Sequence, residues 1–184
     1  SHINNLNDAL IIGGDETNLL EGVLDEDDMA SDSATKGATQ QSIKAYVDRT
    51  KTYIQVKRVG IQTIPHNTAT KVQFNSEDND NLNEYDPTTN YRFTASEAGV
   101  YAFYVNIQFV YATRVNIRGY INGTTNNSMY YETVQPANYT SNIVTFIKRL
   151  EATDYVEIYV TQLYGSDNDI HSDQTTRLII SKLT

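Results

Sequence analysis

The sequence predicts an all-β fold, either a sandwich, a jelly roll or a barrel, preceded by a short α-helical or irregular segment. From residue 52 onward, short runs rich in Tyr, Ile, Val and Thr alternate with turn residues. No long amphipathic helical pattern interrupts these runs. The 184-residue chain contains 14 tyrosines but no Trp and no Cys. This composition suits β-surfaces and excludes disulfides.

Charge and hydropathy exclude two classes of partner. The chain has 23 acidic and 14 basic side chains and a net charge of −9. Nucleic acid is therefore not expected as a partner, because phosphate binding needs clustered Lys and Arg. No stretch approaches the ~20 consecutive apolar residues of a membrane-spanning helix, so no membrane insertion is expected.

The texture of the chain changes near Thr50–Thr52, which predicts two parts, residues 1–50 and residues 51–184. Residues 1–50 hold 10 acidic and 3 basic side chains, a net charge of −7. A helix is predicted from Thr39 to Lys51, where Ile43, Tyr46 and Val47 form one apolar face. So short a helix is marginal alone, and a second copy of the same helix would cover its apolar face.

The second part predicts a series of strands, and Asn122-Gly123 is typical of a two-residue hairpin turn. A series of short strands in a chain of this length is typical of a sandwich or a jelly roll. The predicted strands are Tyr53–Val59, Thr70–Phe74, Tyr91–Thr94, Val100–Val110, Arg114–Ile121, Met129–Val134, Ser141–Leu150, Tyr155–Leu163 and Thr176–Leu183.

Two kinds of strand can be distinguished by their alternation. Arg114–Ile121 and Tyr155–Leu163 alternate between apolar and polar residues, as strands with one wet face do. Val100–Val110, Ser141–Leu150 and Thr176–Leu183 carry apolar residues on both faces. Because a sandwich buries only the inner face of each sheet, the outer face of these strands needs a cover. A second subunit would provide that cover, with long loops as the alternative.

Two motifs resemble the globular head of complement C1q. The run from Asn83 to Phe109 has the family's order of Tyr85-Asp86, Phe93-Thr94 and Gly99-Val100-Tyr101-Ala102-Phe103. The run from Leu150 to Gly165 is similar to a later strand of the family and keeps Asp154 and Val156. Two departures are Thr153, where the family has Gly, and the absence of its aromatic carboxy-terminal pattern.

The resemblance implies the jelly roll shared with tumour necrosis factor, assembled as a tight homotrimer. The doubly apolar strands would then lie nearest the trimer axis. The residues this predicts at the trimer interface are Tyr104, Val144, Phe146 and Ile179.

The acidic first part carries a second resemblance. The run LDEDDMASDSATKGATQQSIKAYVD, from Leu24 to Asp48, resembles a linker found in tail-fibre and other structural proteins of bacteriophages. This implies a trimeric neck that joins the head to other virion proteins, and a location on the virion surface in a fibre, a spike or the capsid. A generic acidic helical linker is the alternative.

No catalytic set is found, so the chain is not expected to be an enzyme. His2, His66 and His171 have no metal-ligand spacing to one another. Two predicted acidic loops offer oxygens to calcium, namely Glu77–Asn81 and the loop with Asp167, Asp169 and Asp173. Neither fits the helix-flanked calcium loop, and solvated turn acids are the simpler interpretation. No cofactor is therefore expected.

Exposed tyrosines and amides are the main candidates for binding. In a jelly roll the loops at 111–113, 135–139 and 164–171 would lie together at the end far from the neck. A host-surface receptor, such as a polysaccharide, is the expected ligand, since aromatic faces stack on sugars. A structural trimerisation cap or capsid decoration without a receptor is the alternative. The candidate ligand-binding residues are Tyr111, Asn138, Tyr139, Tyr164, Asn168 and His171.

Overall fold

The computed structural model describes residues 23–24, 37–49, 51–111, 113–171 and 175–183. The chain divides into two compact units, Ser1–Lys51 and Thr52–Thr184. In the first unit, β1 (Val23–Leu24) pairs in parallel with β2 (Gly37–Ala38), and α1 (Gln40–Arg49) follows. Residues 25–36 of the predicted linker lie outside the described residues.

The helix α1 starts where the sequence offers a cap. The backbone N–H of Ser42 donates to Thr39 Oγ1 at 3.0 Å, which satisfies one of the free N–H groups of the first turn. The predicted apolar side is present, but it is exposed in the single chain. The side chains of Ile43, Tyr46 and Val47 are 49%, 40% and 41% exposed.

The second unit is a sandwich of two antiparallel sheets, which confirms the predicted jelly-roll fold class. The strands are β3 (Tyr53–Lys57), β4 (Gln62–Ile64), β5 (Thr70–Lys71), β6 (Ser76–Asp80), β7 (Tyr85–Asp86), β8 (Arg92–Thr94), β9 (Gly99–Gln108), β10 (Thr113–Ile121), β11 (Thr124–Gln135), β12 (Ser141–Leu150), β13 (Tyr155–Gln162), β14 (Asn168–Ile170) and β15 (Arg177–Lys182). One sheet has the order β12-β9-β15-β3-β6, the other has the order β11-β10-β13-β8-β7 with β5 on β13, and β14 pairs with β4.

The core lies between the two sheets and follows the period of two along the strands. On β9, the inward side chains of Tyr101, Phe103, Val105 and Ile107 are fully buried. On β10, the predicted apolar side is also buried. Asn122 and Gly123 both have positive φ, 52° and 70°, as a type I′ hairpin turn between β10 and β11 requires.

The acidic run at 77–81 was predicted as a loop, and this prediction is wrong because most of it forms the edge strand β6. Lys57 forms an ion pair with Asp78 across β3 and β6. The carboxylate of Asp80 accepts the backbone N–H groups of Glu84 and Tyr85 at 3.1 and 2.8 Å. An edge strand pairs on one side only and tolerates charged side chains, so its composition resembles that of a loop.

The outer face of the five-stranded sheet carries the apolar surface that the sequence predicts. Two residues predicted at the trimer interface, Val144 and Phe146, do not lie on this face, so the prediction is wrong for them. Val144 and Phe146 are only 9% and 7% exposed because they point into the core of the single chain. Their neighbours on β12, Ile143 and Ile147, point outward and are 49% and 63% exposed.

The outward residues of neighbouring strands join in rows across this sheet. Tyr104 lies opposite Thr145 on one side and opposite Ile179 on the other. Ile147 lies opposite Ala102, and a serine of β15 connects Ala102 to Tyr53. This surface is called the outer apolar face, and its residues are Tyr53, Val100, Ala102, Tyr104, Ile143, Ile147 and Ile179.

Thr153, which stands where the resembled family has glycine, adopts the left-handed backbone conformation with φ 74°. Its N–H donates to the carbonyl of Ala95 at 2.8 Å, so the turn between β12 and β13 is held in this conformation. A β-branched residue is strained there, whereas glycine is not.

Replacing Thr153 with Gly is therefore expected to raise the free energy of unfolding by about 1 kcal/mol, the strain relieved less the added entropy of the unfolded chain. Urea denaturation of both proteins measures this difference. Thr153→Ala is the matched control and should gain little, because its Cβ keeps the strain. A Gly variant no more stable than the Ala variant would contradict the role of strain.

Candidate functional site

Strand direction brings the predicted loops to one end of the sandwich. Both β3 and β9 run antiparallel to β15, so they run in the same direction. Thr52 and the start of β9 consequently lie at one end, and the residues that follow β9 lie at the other. There they meet the loop before β12 and the segment that contains β14. Four rings gather at this end, and they are called the tyrosine tip: Tyr111, Tyr139, Tyr164 and His171.

The rings of the tyrosine tip form two pairs. Tyr111 and Tyr164 stack with centroids 5.1 Å apart and an interplanar angle of 9°. Tyr139 and His171 meet edge to face at 5.0 Å and 78°. The three tyrosines are 44%, 43% and 52% exposed in the order Tyr111, Tyr164, Tyr139. Each pair therefore orders its rings before any ligand arrives, while leaving ring surface accessible.

Backbone hydrogen bonds between the loops hold these rings together. The N–H of Tyr139 donates to the carbonyl of Phe109 at 3.1 Å, and the N–H of His171 donates to the carbonyl of Gln108 at 2.8 Å. The N–H of Val110 donates to the carbonyl of Asp169 at 2.8 Å. All three bonds start or end on the residues that close β9, so this short segment organises the tip.

Gln162 is a supporting residue that the sequence analysis missed. Its fully buried side chain donates through Nε2 to the carbonyls of Ile64 and Ser166 at 3.0 and 2.9 Å. Its Oε1 accepts the N–H of Tyr164 at 2.7 Å. The amide therefore fixes the loop that carries one of the exposed rings. A polar residue at the inward position of β13 was the available signal.

The side chain of His66 supports the same loop from the other side. Its Nδ1 accepts the N–H of Gly165 at 3.0 Å. Since Gly165 has φ 104°, this turn uses a conformation that other residues rarely adopt.

The two asparagines predicted at the tip differ in their surroundings. Asn168 is only 1% exposed, and its amide exchanges two hydrogen bonds with the backbone of Tyr111, at 3.2 and 3.1 Å. The structure thus assigns Asn168 to holding the loop, and the prediction that it contacts a ligand is wrong for an enclosed side chain. Asn138 is exposed beside Tyr139.

The predicted calcium ligands do not gather in the described residues. Asp169 Oδ1 accepts the hydroxyl of Thr63 at 2.6 Å, across β4 and β14. Asp167 is exposed, and Asp173 lies outside the described residues. Within the ranges that the structure describes, no three His, Asp or Glu side chains come close enough to hold a metal ion. No helix within the same ranges is long and apolar enough to cross a membrane.

Comparison with known proteins identifies the sandwich. The model of the C1q domain family matches residues 55–179. A search of curated protein sequences finds no significant match. Among solved structures, murine APRIL is similar with a TM-score of 0.54 at 12% identity, covering 72% of this chain and 99% of APRIL.

Two further solved structures have the same fold. Eiger TNF from S. frugiperda has a TM-score of 0.50 at 13% identity, with 73% of this chain and 92% of that chain covered. The PRD1 vertex protein P5 has a TM-score of 0.51 at 10% identity, with 74% and 98% covered. At such identities the likeness shows the fold alone.

Proposed function

Because the chain belongs to the C1q domain family, we propose that it forms a homotrimer. We further propose that this homotrimer is a structural protein of a virus particle and that its head attaches the particle to a host cell surface. The particle we propose is a bacteriophage, and the protein would form part of a fibre or spike. The resemblance of Leu24–Asp48 to phage fibre linkers supports this placement. The similarity of the fold to a vertex protein of PRD1 supports it as well.

The outer apolar face supports the trimer. It leaves Ile143 and Ile147 about half exposed or more in the single chain, beside Tyr104 and Ile179. Contiguous apolar surface of this kind is typical of protein interfaces. Copies of the chain would bury it around a common axis. In the first unit, the exposed apolar side of α1 would be covered in the same way by the helices of the other copies.

The position of the tyrosine tip is the observation that carries the attachment function. Its exposed rings lie at the end of the sandwich opposite Thr52, where the second unit joins the neck in the chain. A trimer would present three such tips on one rigid body. Three weak sites that engage a repeating surface polymer together gain avidity that no single site has. A host-surface polysaccharide is the ligand class we propose, since tyrosine rings offer flat apolar surfaces with a polar hydroxyl.

Attachment is tested by binding of the labelled full chain to an array of bacterial surface polysaccharides. Tyr139→Ala and Tyr164→Ala should each reduce binding by about tenfold or more, because a stacking contact is worth roughly 0.5–1.5 kcal/mol and is lost at three tips together. Tyr130→Ala is the matched control. Tyr130 is 49% exposed, like Tyr139 at 52%, but lies on the face of the other sheet. Equal losses in control and tip variants would contradict the proposal.

A structural cap without a receptor is the second candidate. The enclosure of Asn168 and the packing of the tip rings on one another favour it, because both consume groups that a ligand would need. A cap predicts that the tip variants keep all functions of the particle while variants of the outer apolar face do not. Infection assays with particles that carry each class of variant separate the two candidates.

A further inference from the structure

A cleft opens beside the edge of the six-stranded sheet, at the end of the sandwich far from the tyrosine tip. Its volume is about 630 Å³, within the range of small-molecule sites. It lies between β8, the segment before β7 and the turn between β12 and β13. It is called the Arg92 cleft, and the polar groups that the argument uses are on Asn83, Arg92, Thr94, Ser96 and Thr153.

Arg92 is the distinctive residue of this cleft. Its guanidinium carbon lies 4.2 Å from the centroid of the Tyr155 ring. That contact covers one flat face of the guanidinium and leaves the N–H groups along its edge uncommitted. With the residues in the described ranges, the side chain forms no hydrogen bond and no ion pair. By contrast, Arg114 is paired with Glu132, and Arg149 lies 3.4 Å from Glu151.

Two carboxylates line the cleft, those of Asp86 and Glu84, and both accept hydrogen bonds from groups other than Arg92. Asp86 is the cross-strand partner of Arg92, yet its oxygens accept the backbone N–H groups of Thr88, Thr89 and Asn90 at 2.9, 2.9 and 3.1 Å. The bonds from Thr89 and Thr88 hold the pKa of Asp86 well below its usual range, so it remains a charged cap of its own turn. Glu84 Oε1 accepts the N–H of Ser96 at 2.9 Å and also its hydroxyl, while Glu84 Oε2 is buried with no hydrogen-bond partner among the described residues.

We propose that the Arg92 cleft binds the carboxylate of an acidic sugar residue. A guanidinium with a free edge matches a carboxylate in a bidentate pair. Thr94, Thr153 and Asn83 line the same cleft, and their side-chain hydroxyls and amide are of the type that hydrogen-bonds sugar hydroxyls. The carboxylates of Asp86 and Glu84 oppose the binding of any anion, including a sugar carboxylate. A ligand of this cleft therefore needs hydroxyl contacts in addition to the bidentate pair.

This site is independent of the proposed attachment function. The cleft and the tyrosine tip lie at opposite ends of the sandwich, and no residue belongs to both. Loss of one by substitution therefore leaves the other in place, and their failures can be told apart.

The test is an NMR titration of the full chain with the trisaccharide of galacturonic acid. Two reference ligands are titrated in the same way: the methyl ester of that trisaccharide, and inorganic phosphate. We expect saturable shifts in the amides of Thr94, Ser96 and Thr153 with the acid, and at least about tenfold weaker binding of the ester, because a charge-assisted bidentate pair is lost. Phosphate should bind at least about tenfold more weakly too, because it lacks the sugar hydroxyls.

Three variants locate the effect. Arg92→Gln should lose at least about tenfold in affinity, and Arg92→Lys should lose severalfold, because lysine keeps the charge over the Tyr155 ring but not the planar fork. Arg149→Gln, a 68% exposed arginine, is the matched control and should bind as the wild type does. Spectra of the free variants verify the fold. Equal binding of the ester, equal binding of phosphate, shifts confined to the tyrosine tip, or unchanged binding by Arg92→Gln would each overturn the proposal.

Discussion

Replacing Ile147 with glutamate is expected to dissociate the proposed trimer into single chains at micromolar concentration. Ile147 is 63% exposed in the single chain, so the substitution costs the isolated sandwich little. In the trimer, the outer apolar face would bury one carboxylate in each of three copies. An effective penalty of several kcal/mol for each buried ion, repeated by symmetry, exceeds what most interfaces can lose.

Light scattering of the purified protein in solution measures this result as a fall in molar mass from that of three chains to that of one chain. Val134→Glu is the matched control. Val134 is 64% exposed on β11 of the other sheet, so it has the same starting exposure without a place in the outer apolar face. A wild-type protein with the mass of one chain, or a trimer that survives Ile147→Glu, would contradict the proposed interface.

The fold could be predicted because its central strands show their alternation plainly in the sequence. On β10, Val115 and Ile117 alternate with charged and amide side chains, and one face of the strand is consequently buried. The strands β4, β7 and β14 have two or three residues each, which is too few to establish a period. Their pairing depends on long-range contacts that no local pattern contains.

The errors at the interface have a different origin. On β12, each side carries large apolar residues together with one basic residue, Lys148 on one side and Arg149 on the other. Alternation alone consequently cannot decide whether Ile147 or Phe146 points into the core. The pairing of β12 with β9 decides it, because Phe146 lies opposite the buried Phe103 and Ile147 lies opposite Ala102.

The tip was predicted from loop order, while its supports were not. The turns around Tyr111, Tyr139 and Tyr164 follow from strand direction once the jelly roll is assumed. The enclosure of Asn168 could not be foreseen, since an asparagine in a loop is usually exposed. Gln162 could have been found, because it continues the inward series of Val156, Ile158 and Val160 on β13.

Replacing Gln162 with leucine is expected to lower the free energy of unfolding by roughly 1–3 kcal/mol. Leucine cannot form hydrogen bonds, so the carbonyls of Ile64 and Ser166 and the N–H of Tyr164 all lose their partner. The buried carbonyl of Ile64 carries most of this cost, because the bonds to Ser166 and Tyr164 are only partly buried and water can replace the lost partner there. Gln73→Leu, on a half-buried glutamine before β6, is the control and should change stability by less than about 0.5 kcal/mol.

The same substitution separates the stability of the sandwich from the order of the tip. The loop with Tyr164 and Gly165 keeps only the bond to His66 among those described above, so the stacking of Tyr164 on Tyr111 should loosen. Denaturant unfolding measures the first effect, and hydrogen exchange of the amides at 163–167 measures the second. Rapid exchange in a variant that still binds polysaccharide as the wild type does would show that attachment needs no preformed tip. Slow exchange with unchanged stability would contradict the role of Gln162 itself, because it would mean that its amide neither stabilises the sandwich nor orders the loop at 163–167.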